Sequence, residues 1–515
     1  MKICMYNLFI LMISVICFSK EADISEQKWT TQFLITANQN KEIVVDKDQY
    51  LSGTNLYRRC YQLLLRYPLA IDSEVIKQIE AGTIDAEDAC VQMVTLSVLN
   101  EDGELKNPSL SSFENQRLMA TFNLLHQSWF EAYSFSFSGE NFGTGEYSDF
   151  EQMGYAFSNI LFRNKKVTSI LKGTELYQPV RDKVNKNEFL LTRNAHLGNF
   201  VPWNYISLYY NDDSPMQGQI PQAPRGLLRG VSIDTTPFYL KKFFIQYEKF
   251  SENTTTALKR HFGGGLLGNS TYLLLNLGDK VGMIQDGNVR IPRRWTKAVF
   301  KDILCRNLPV LSESDAKKYV SPKADYTFSR AETCVQCHAT TDQFSGGIRD
   351  IQGGVNTYAG LDYDKGTKEL EKNGKIGFSF LRSVHESKLL KKEDYSYAFA
   401  EPTGRLRMRD FNGTELDEPY VNLEDLGEKI SGLDDFYLCQ TRRYFKFLTG
   451  IDIETDPLIL HNTILKQQDK IMLTQLYSWA MDLKKNQQLK SVLEQMIRSP
   501  YFRHKDFFPI KSNQQ

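Results

Sequence analysis

Between Thr333 and Ala339 the chain reads Thr-Cys-Val-Gln-Cys-His-Ala, so two thiols three residues apart stand directly before an imidazole. Cys334, Cys337 and His338 form C-x-x-C-H, the attachment pattern of c-type haem. The spacing has a physical reason: thiols separated by two residues reach the two vinyl groups of one porphyrin and form thioethers. The imidazole that follows then lies against the iron as its proximal ligand. The expected cofactor is one covalent haem c, with thioethers to Cys334 and Cys337 and the iron on His338. Three other chemistries use similar residues. A zinc site needs a second ligand pair, and the sequence holds no other C-x-x-C and no H-x-x-x-H. A thioredoxin-like motif follows a β-strand, for which residues 326–332 are a poor match. A disulfide between cysteines three apart is strained.

The other face of the iron has two downstream candidates. Met408, in Gly404-Arg405-Leu406-Arg407-Met408-Arg409, is taken as the distal ligand, and His385 is the second choice. An upstream ligand, or none, competes with both. Methionine or a second histidine gives a low-spin electron-transfer centre, whereas an open position admits a small ligand or peroxide.

The amino terminus fits the compartment in which such haems are attached. Met1-Lys2 is followed by an apolar run from Leu8 to Phe18, broken only by Ser14, and then by polar sequence from Ser19 onward. This is the layout of a secretory signal peptide, residues 1–19, and it predicts export to the periplasm or outer cell surface. A lipid anchor at Cys17 is disfavoured, because Ile16 is bulky where a lipidation signal takes a small residue. No later stretch holds the eighteen or so apolar residues that span a bilayer. Outside the haem motif and the signal, Cys60, Cys90, Cys305 and Cys439 remain, an even number in an oxidising compartment. Cys60 with Cys90 and Cys305 with Cys439 is the pairing suggested among three connectivities. The 62 basic residues equal the 62 acidic ones, so no global field draws the chain to nucleic acid.

The elements that must position the motif are mainly helical. A chain of 515 residues exceeds the roughly 250 to 300 at which one core stops growing, so several units are expected. Residues 20–135 read as an N-terminal helical region: one helix on the apolar stripe Leu56 to Leu65, one after Asp72-Ser73, one from about Phe113 to Phe135. Residues 136–290 are rich in Gly, Asn and aromatics and read as a mixed, less regular middle, with helical period only at Met153–Phe162 and Pro237–Phe262. Residues 291–450 read as a cytochrome c-like haem-binding region. It holds a helix from Pro292 to Cys305 ended by Asn307-Leu308-Pro309, a capping sequence at Asn422-Leu423-Glu424-Asp425, and a helix from Asp434-Asp435 to Gly450. Residues 451–515 read as a C-terminal helical region opened by Asp456-Pro457, its last helix carrying Leu489, Val492, Leu493, Met496 and Ile497 on one face. The fold class expected is mainly α and multi-helical, with a cytochrome c-like haem domain in the carboxyl-terminal half.

Around the motif the sequence resembles the planctomycete-type cytochrome c domain proteins of unknown function. The resemblance is carried by Arg293-Arg294-Trp295, Leu304 to Pro309, Cys334 to His338, Asp342 and Gly346-Gly347. It continues through Phe411-Asn412-Gly413, Leu426-Gly427, Phe436, Cys439, Arg443-Tyr444-Phe445, Thr449-Gly450 and Ile497 to Phe502, with a looser likeness over Arg59 to Pro68. The chain departs from the pattern in lacking a long proline run before the motif and in placing Gln343-Phe344, not proline, after Asp342. The resemblance implies an exported, multi-helical, haem-bearing protein and brings no catalytic residues. Electron transfer with a redox partner protein or a small donor or acceptor is therefore the function expected. A mono-haem peroxidase-like or oxygenase-like enzyme, or a structural haem-containing subunit, is the alternative. Gly263-Gly264-Gly265-Leu266-Leu267-Gly268 matches a dinucleotide fingerprint only formally, because a helix precedes it, and it reads as a loop.

Overall fold

The computed structural model describes residues 47–100, 105–130, 152–173, 262–269, 272–273, 276, 284–324, 327–349, 351–356, 377–382, 400–463 and 465–507. The expected signal peptide, the Pro237–Phe262 helix save its last residue, and His385 lie outside these residues.

The described chain is mainly helical, and local chemistry accounts for most boundaries. Helix α1 (Gly53–Leu65) buries Leu56, Tyr57, Cys60, Tyr61, Leu64 and Leu65, a stripe at helical spacing. It ends where Arg66 turns left-handed. After α2 (Glu74–Glu80) comes α3 (Ala86–Thr95), whose Asp85 carboxylate accepts from the Glu87 and Asp88 amides at 2.8 and 2.9 Å. A two-residue hairpin, β1 (Val98–Leu99) with β2 (Leu105–Lys106), leads to α4 (Ser112–Ser128). Ser111 and Glu114 close a capping box there. Helix α5 (Gln152–Phe162) coincides with the period read at Met153–Phe162. Helix α6 spans Ile284–Leu304, beginning eight residues before the expected Pro292; Thr296 Oγ1 donates to the Pro292 carbonyl at 2.9 Å.

Beyond α6 lie α7 (Glu313–Lys317) and α8 (Glu332–Phe344), which bears the C-x-x-C-H motif. Two antiparallel hairpins follow, neither of them foreseen. In the first, β3 (Ile351–Asn356) pairs with β4 (Gly377–Arg382), Ile351 opposite Arg382. In the second, β5 (Gly404–Arg409) pairs with β6 (Glu415–Tyr420), Gly404 opposite Tyr420 and Met408 opposite Leu416. The carboxyl-terminal helices are α9 (Leu423–Gly432), α10 (Asp434–Thr449), α11 (Pro457–Asn462), α12 (Gln467–Asn486), α13 (Leu489–Ile497) and α14 (Pro500–Arg503). Asn422 caps α9, Gly450 ends α10 at φ 75°, and Asp456 caps α11 ahead of Pro457, each as read from the sequence.

One apolar cluster takes side chains from all four expected regions, including Leu64, Phe157, Phe300 and Trp479. Its ends are tied together by Arg59, which donates to the carbonyls of Phe502, His504 and Lys505 at 2.8, 2.6 and 2.6 Å. Cys305 and Cys439 form a disulfide, 2.03 Å between sulfurs, as suggested. The other suggested pair is different: Cys60 and Cys90 are buried thiols, with Cys90 Sγ donating to the Leu56 carbonyl at 3.8 Å. Enclosed between α1 and α3, they pack as small apolar side chains. Burial first, then the Cys60 thiol, pushes Cys90 well above its usual range.

Beside the disulfide, Arg306 and Asp435 form an ion pair at 2.8 Å, each about 1 % exposed, and Arg306 stands 3.2 Å from Asp456. Removing one member of a buried pair strands its partner's charge. Asp435→Leu should therefore lower unfolding free energy by about 3–5 kcal/mol, read as a fall in denaturant midpoint without change of slope.

His126 is enclosed between Ser158 Oγ (2.8 Å) and Tyr444 Oη (2.9 Å). Burial, with Arg443 adding to it, lowers its pKa from 6.5 to about 3. Below about pH 6.5 the unfolded chain therefore takes up a proton that the folded chain refuses, and stability falls with pH by about 1.4 kcal/mol per unit from this group. Asp410, raised to about 6 by burial and by Asp435 and Asp434, acts in the opposite sense over its own window. The comparison is thus made between variant and parent. His126→Gln should cost most stability near pH 8, and the difference from the parent should shrink steadily as pH falls from 6.5 toward 4, measured by denaturant unfolding at each pH.

Candidate functional site

Helix α8 starts immediately after the 3-10 turn Thr327–Ser329, not after a strand, so the motif lacks the setting of a thioredoxin-like site. Helical periodicity divides its side chains. Val335, Ala339, Thr340 and Phe344 are buried, while Cys334 is exposed and Cys337 and His338 are half-buried. Val335 and Ala339 pack with Leu311 and Ala316 in a small apolar cluster. Gln336 Nε2 donates to the Leu311 carbonyl at 2.9 Å.

Hairpin β5–β6 fixes the remainder of the inner face. Thr340 Oγ1 donates to the Arg407 carbonyl at 2.9 Å, and Arg407 Nη1 returns to the Ala339 carbonyl at 3.2 Å. The Arg407 guanidinium lies 3.8 Å from the Tyr319 ring centre and pairs with Asp417 at 3.1 Å. Arg409 and Asp315 tie β5 to α7 at 2.6 Å, holding the Asp315 carboxyl below its usual range despite burial. At the helix end Phe344 sits against Trp295 and Phe300, ring centres 5.2 and 5.1 Å apart, and the Tyr420 hydroxyl donates to the Phe344 carbonyl.

The outer face is organised around His338. Its Nδ1 lies 3.1 Å from Asp342 Oδ2, one helical turn on. Arg293 of α6 holds that carboxylate with two nitrogens, Nε to Oδ1 at 2.6 Å and Nη2 to Oδ2 at 3.2 Å. Phe328 stacks on the imidazole with ring centres 4.3 Å apart and planes 23° from parallel. Arg293 lies 5.3 Å from the other partner of that stack, the Phe328 ring centre. An ionised carboxylate accepts only, so in the neutral imidazole the proton is on Nδ1 and the lone pair on Nε2. Stacking covers a ring face, not the in-plane nitrogens. Nε2 makes no hydrogen bond among the described residues.

This donor set suits covalent haem. Two thiols not joined to each other lie within one helical turn of an imidazole whose second nitrogen is held by a carboxylate. It suits thiolate chemistry poorly, since burial, with Cys334 second, raises the Cys337 thiol, where a reactive thiol is lowered. No group of three or more His, Cys, Asp or Glu side chains among the described residues is arranged to hold a bare metal ion. Met408 is fully buried in the main apolar cluster, as is Leu406 two residues before it. The Gly263–Gly268 segment is a loop with a 3-10 turn at Gly265–Gly268, and the Gly264 amide donates to the Glu424 carboxylate at 2.8 Å. Its backbone donors thus serve an internal anion.

Arg293 and Asp342, quoted above only for the resemblance, turn out to touch each other, and the i,i+4 spacing of His338 and Asp342 was the readable sign of their pairing. Phe328 was missed, because no helical or strand period links it to His338. No protein-family model, curated protein or solved structure matches the chain.

The junction of α8 with β5 has no spare room. A Cβ on Gly404 would stand 2.5 Å from the Gln343 carbonyl oxygen and 2.5 Å from Tyr420 Cζ. Gly404→Ala should destabilise by about 1–3 kcal/mol. Gly432→Ala, where a Cβ meets nothing within 4 Å, should be neutral or stabilising by up to about 1 kcal/mol, both read by thermal and denaturant unfolding.

Proposed function

We propose that this chain is an exported c-type cytochrome domain protein that holds one haem by thioethers to Cys334 and Cys337, binds its iron through His338, and transfers electrons. The observation that carries the reading is the outer face of α8: two unpaired thiols and an imidazole within one turn, with Nδ1 held by Asp342. The bound haem supplies one-electron cycling between ferric and ferrous iron. The residues supply the rest. Cys334 and Cys337 retain the group, His338 presents Nε2, Asp342 with Arg293 fixes the tautomer, and Phe328 holds the ring plane. The exposed Cys334 edge offers a redox partner protein, or a small donor or acceptor, a short path to the group. Export agrees with the Cys305–Cys439 disulfide, since such bonds persist in oxidising compartments. Among the described residues no helix is long and apolar enough to cross a membrane. The likeness of residues 293–504 to the planctomycete-type cytochrome c domain proteins belongs to the same proposal.

Expression with a c-type haem maturation system tests it. The purified chain should keep a haem stain and a c-type pyridine haemochrome spectrum after denaturation, and Cys334→Ala with Cys337→Ala should abolish both. Low-spin bands in both redox states, unmoved by cyanide or peroxide, are expected of electron transfer; a high-spin, ligand-binding ferric state would favour the enzymatic alternative. A wild-type chain matured in this way without covalent haem would overturn the reading.

A further inference from the structure

The pair His338–Asp342 lies on the helix surface, with side chains 27 % and 30 % exposed, and a surface pair of this kind contributes little to folding. Its geometry is nevertheless built with more care than stability needs. Arg293 grips Asp342 with two nitrogens from a different helix, α6, and the imidazole is clamped against Phe328. Helix α6 is itself fixed at its carboxyl end by the Cys305–Cys439 disulfide and the Arg306–Asp435 pair. The carboxylate is therefore held at one place relative to Nδ1, with its second oxygen occupied.

We infer that Asp342 is a positioning residue that lowers the reduction potential of iron bound to His338, by accepting a charge-assisted hydrogen bond from Nδ1, with Arg293 limiting the strength of that effect. The inference rests on the haem reading given above. A carboxylate on the outer nitrogen raises the basicity of a metal-bound imidazole, and a more basic axial ligand stabilises ferric iron over ferrous. The couple is ferric iron plus one electron giving ferrous iron, and the Nδ1 proton stays on His338 in both states. Arg293 opposes the effect, because its positive charge draws density from Asp342. The charge and the ring orientation are thus set by separate residues, Asp342 and Phe328.

Two variants of the full-length, haem-loaded protein separate an electronic role from a structural one. Asp342→Asn keeps an oxygen that can accept from Nδ1 but removes the charge. It should shift the ferric–ferrous equilibrium about tenfold toward ferrous iron, a rise of about 59 mV for a one-electron couple, read on the haem-loaded fraction. Arg293→Gln leaves the carboxylate and removes its counter-charge, and should move the potential the other way. Opposite signs support the inference. A ferric–ferrous equilibrium within twofold of the parent's for Asp342→Asn, or a shift of both variants in the same direction, overturns it while the haem reading stands. Absence of covalent haem from the wild-type chain overturns both. If Asp342→Asn lowers haem content, the potential of the haem-loaded fraction is still read, and Arg293→Gln decides the sign.

Discussion

The structure depends on a charge placed where water does not reach. Arg306, directly after the disulfide-bonded Cys305, is about 1 % exposed and pairs with an equally buried Asp435, with Asp456 at 3.2 Å. Its Nη1 also donates to the Arg409 carbonyl at 2.8 Å, and Asp435 accepts from the Phe411 amide at 2.8 Å. The site is not fully satisfied: Nε and Nη2 of Arg306 make no hydrogen bond, so the contact to Asp456 is an ion pair alone. Burial raises Asp435 in spite of the arginine beside it. Such a cluster adds little net stability over an apolar one. What it does is penalise every arrangement in which α6, α10 and the β5–β6 turn fail to meet.

That penalty sets the site. Helix α6 brings Arg293 from one side, and strand β5, held at Arg409 and Phe411, brings Arg407 and the Thr340 contact from the other. Helix α8 lies between, its inner face filled by Val335, Ala339 and Phe344 and its outer face left to Cys334, Cys337 and His338. The position of Arg293 relative to Asp342 is therefore a consequence of the junction near Cys305, far along α6. Helical period accounts for part of the separation: Val335 and Ala339, four residues apart, are buried together, while Cys334 and His338, also four apart, share another side of the helix.

Much of this was legible because it was local. Caps at Asn422 and Asp456, the stop at Gly450 and the stripe of α1 depend on neighbours within a few residues. Helix α3 was passed over although Asp85 and two following acids signal its start, and α12 was subsumed in a general expectation of helix. Hairpin β5–β6 was obscured because its inward positions, Leu406 and Met408, alternate with three arginines whose partners Asp315 and Asp417 lie elsewhere in sequence. The same strand places Met408 in the core, since alternation in a hairpin turns it inward with Leu406. Non-local pairing is what a sequence pattern carries least, and the Arg293–Asp342 contact was approached only through resemblance.

Access, more than residue type, separates the motif from the other polar groups that could do chemistry. Ser158, His126 and Tyr444 form a hydrogen-bonded chain that, listed as residue types, suggests a base and a nucleophile. All three are fully buried, packed among Trp129 and Phe157, and burial lowers His126 to about 3. A base works best with a pKa near the operating pH and within reach of a proton to abstract. His126 has neither, and its hydrogen bonds serve to satisfy a polar interior. His338 has the reverse arrangement, one nitrogen committed to Asp342 and the other without a hydrogen bond among the described residues, on a partly exposed side chain. His126 uses both ring nitrogens and His338 only one, so only the second has an atom left to give, and it stands one residue from Cys337 and one turn from Cys334.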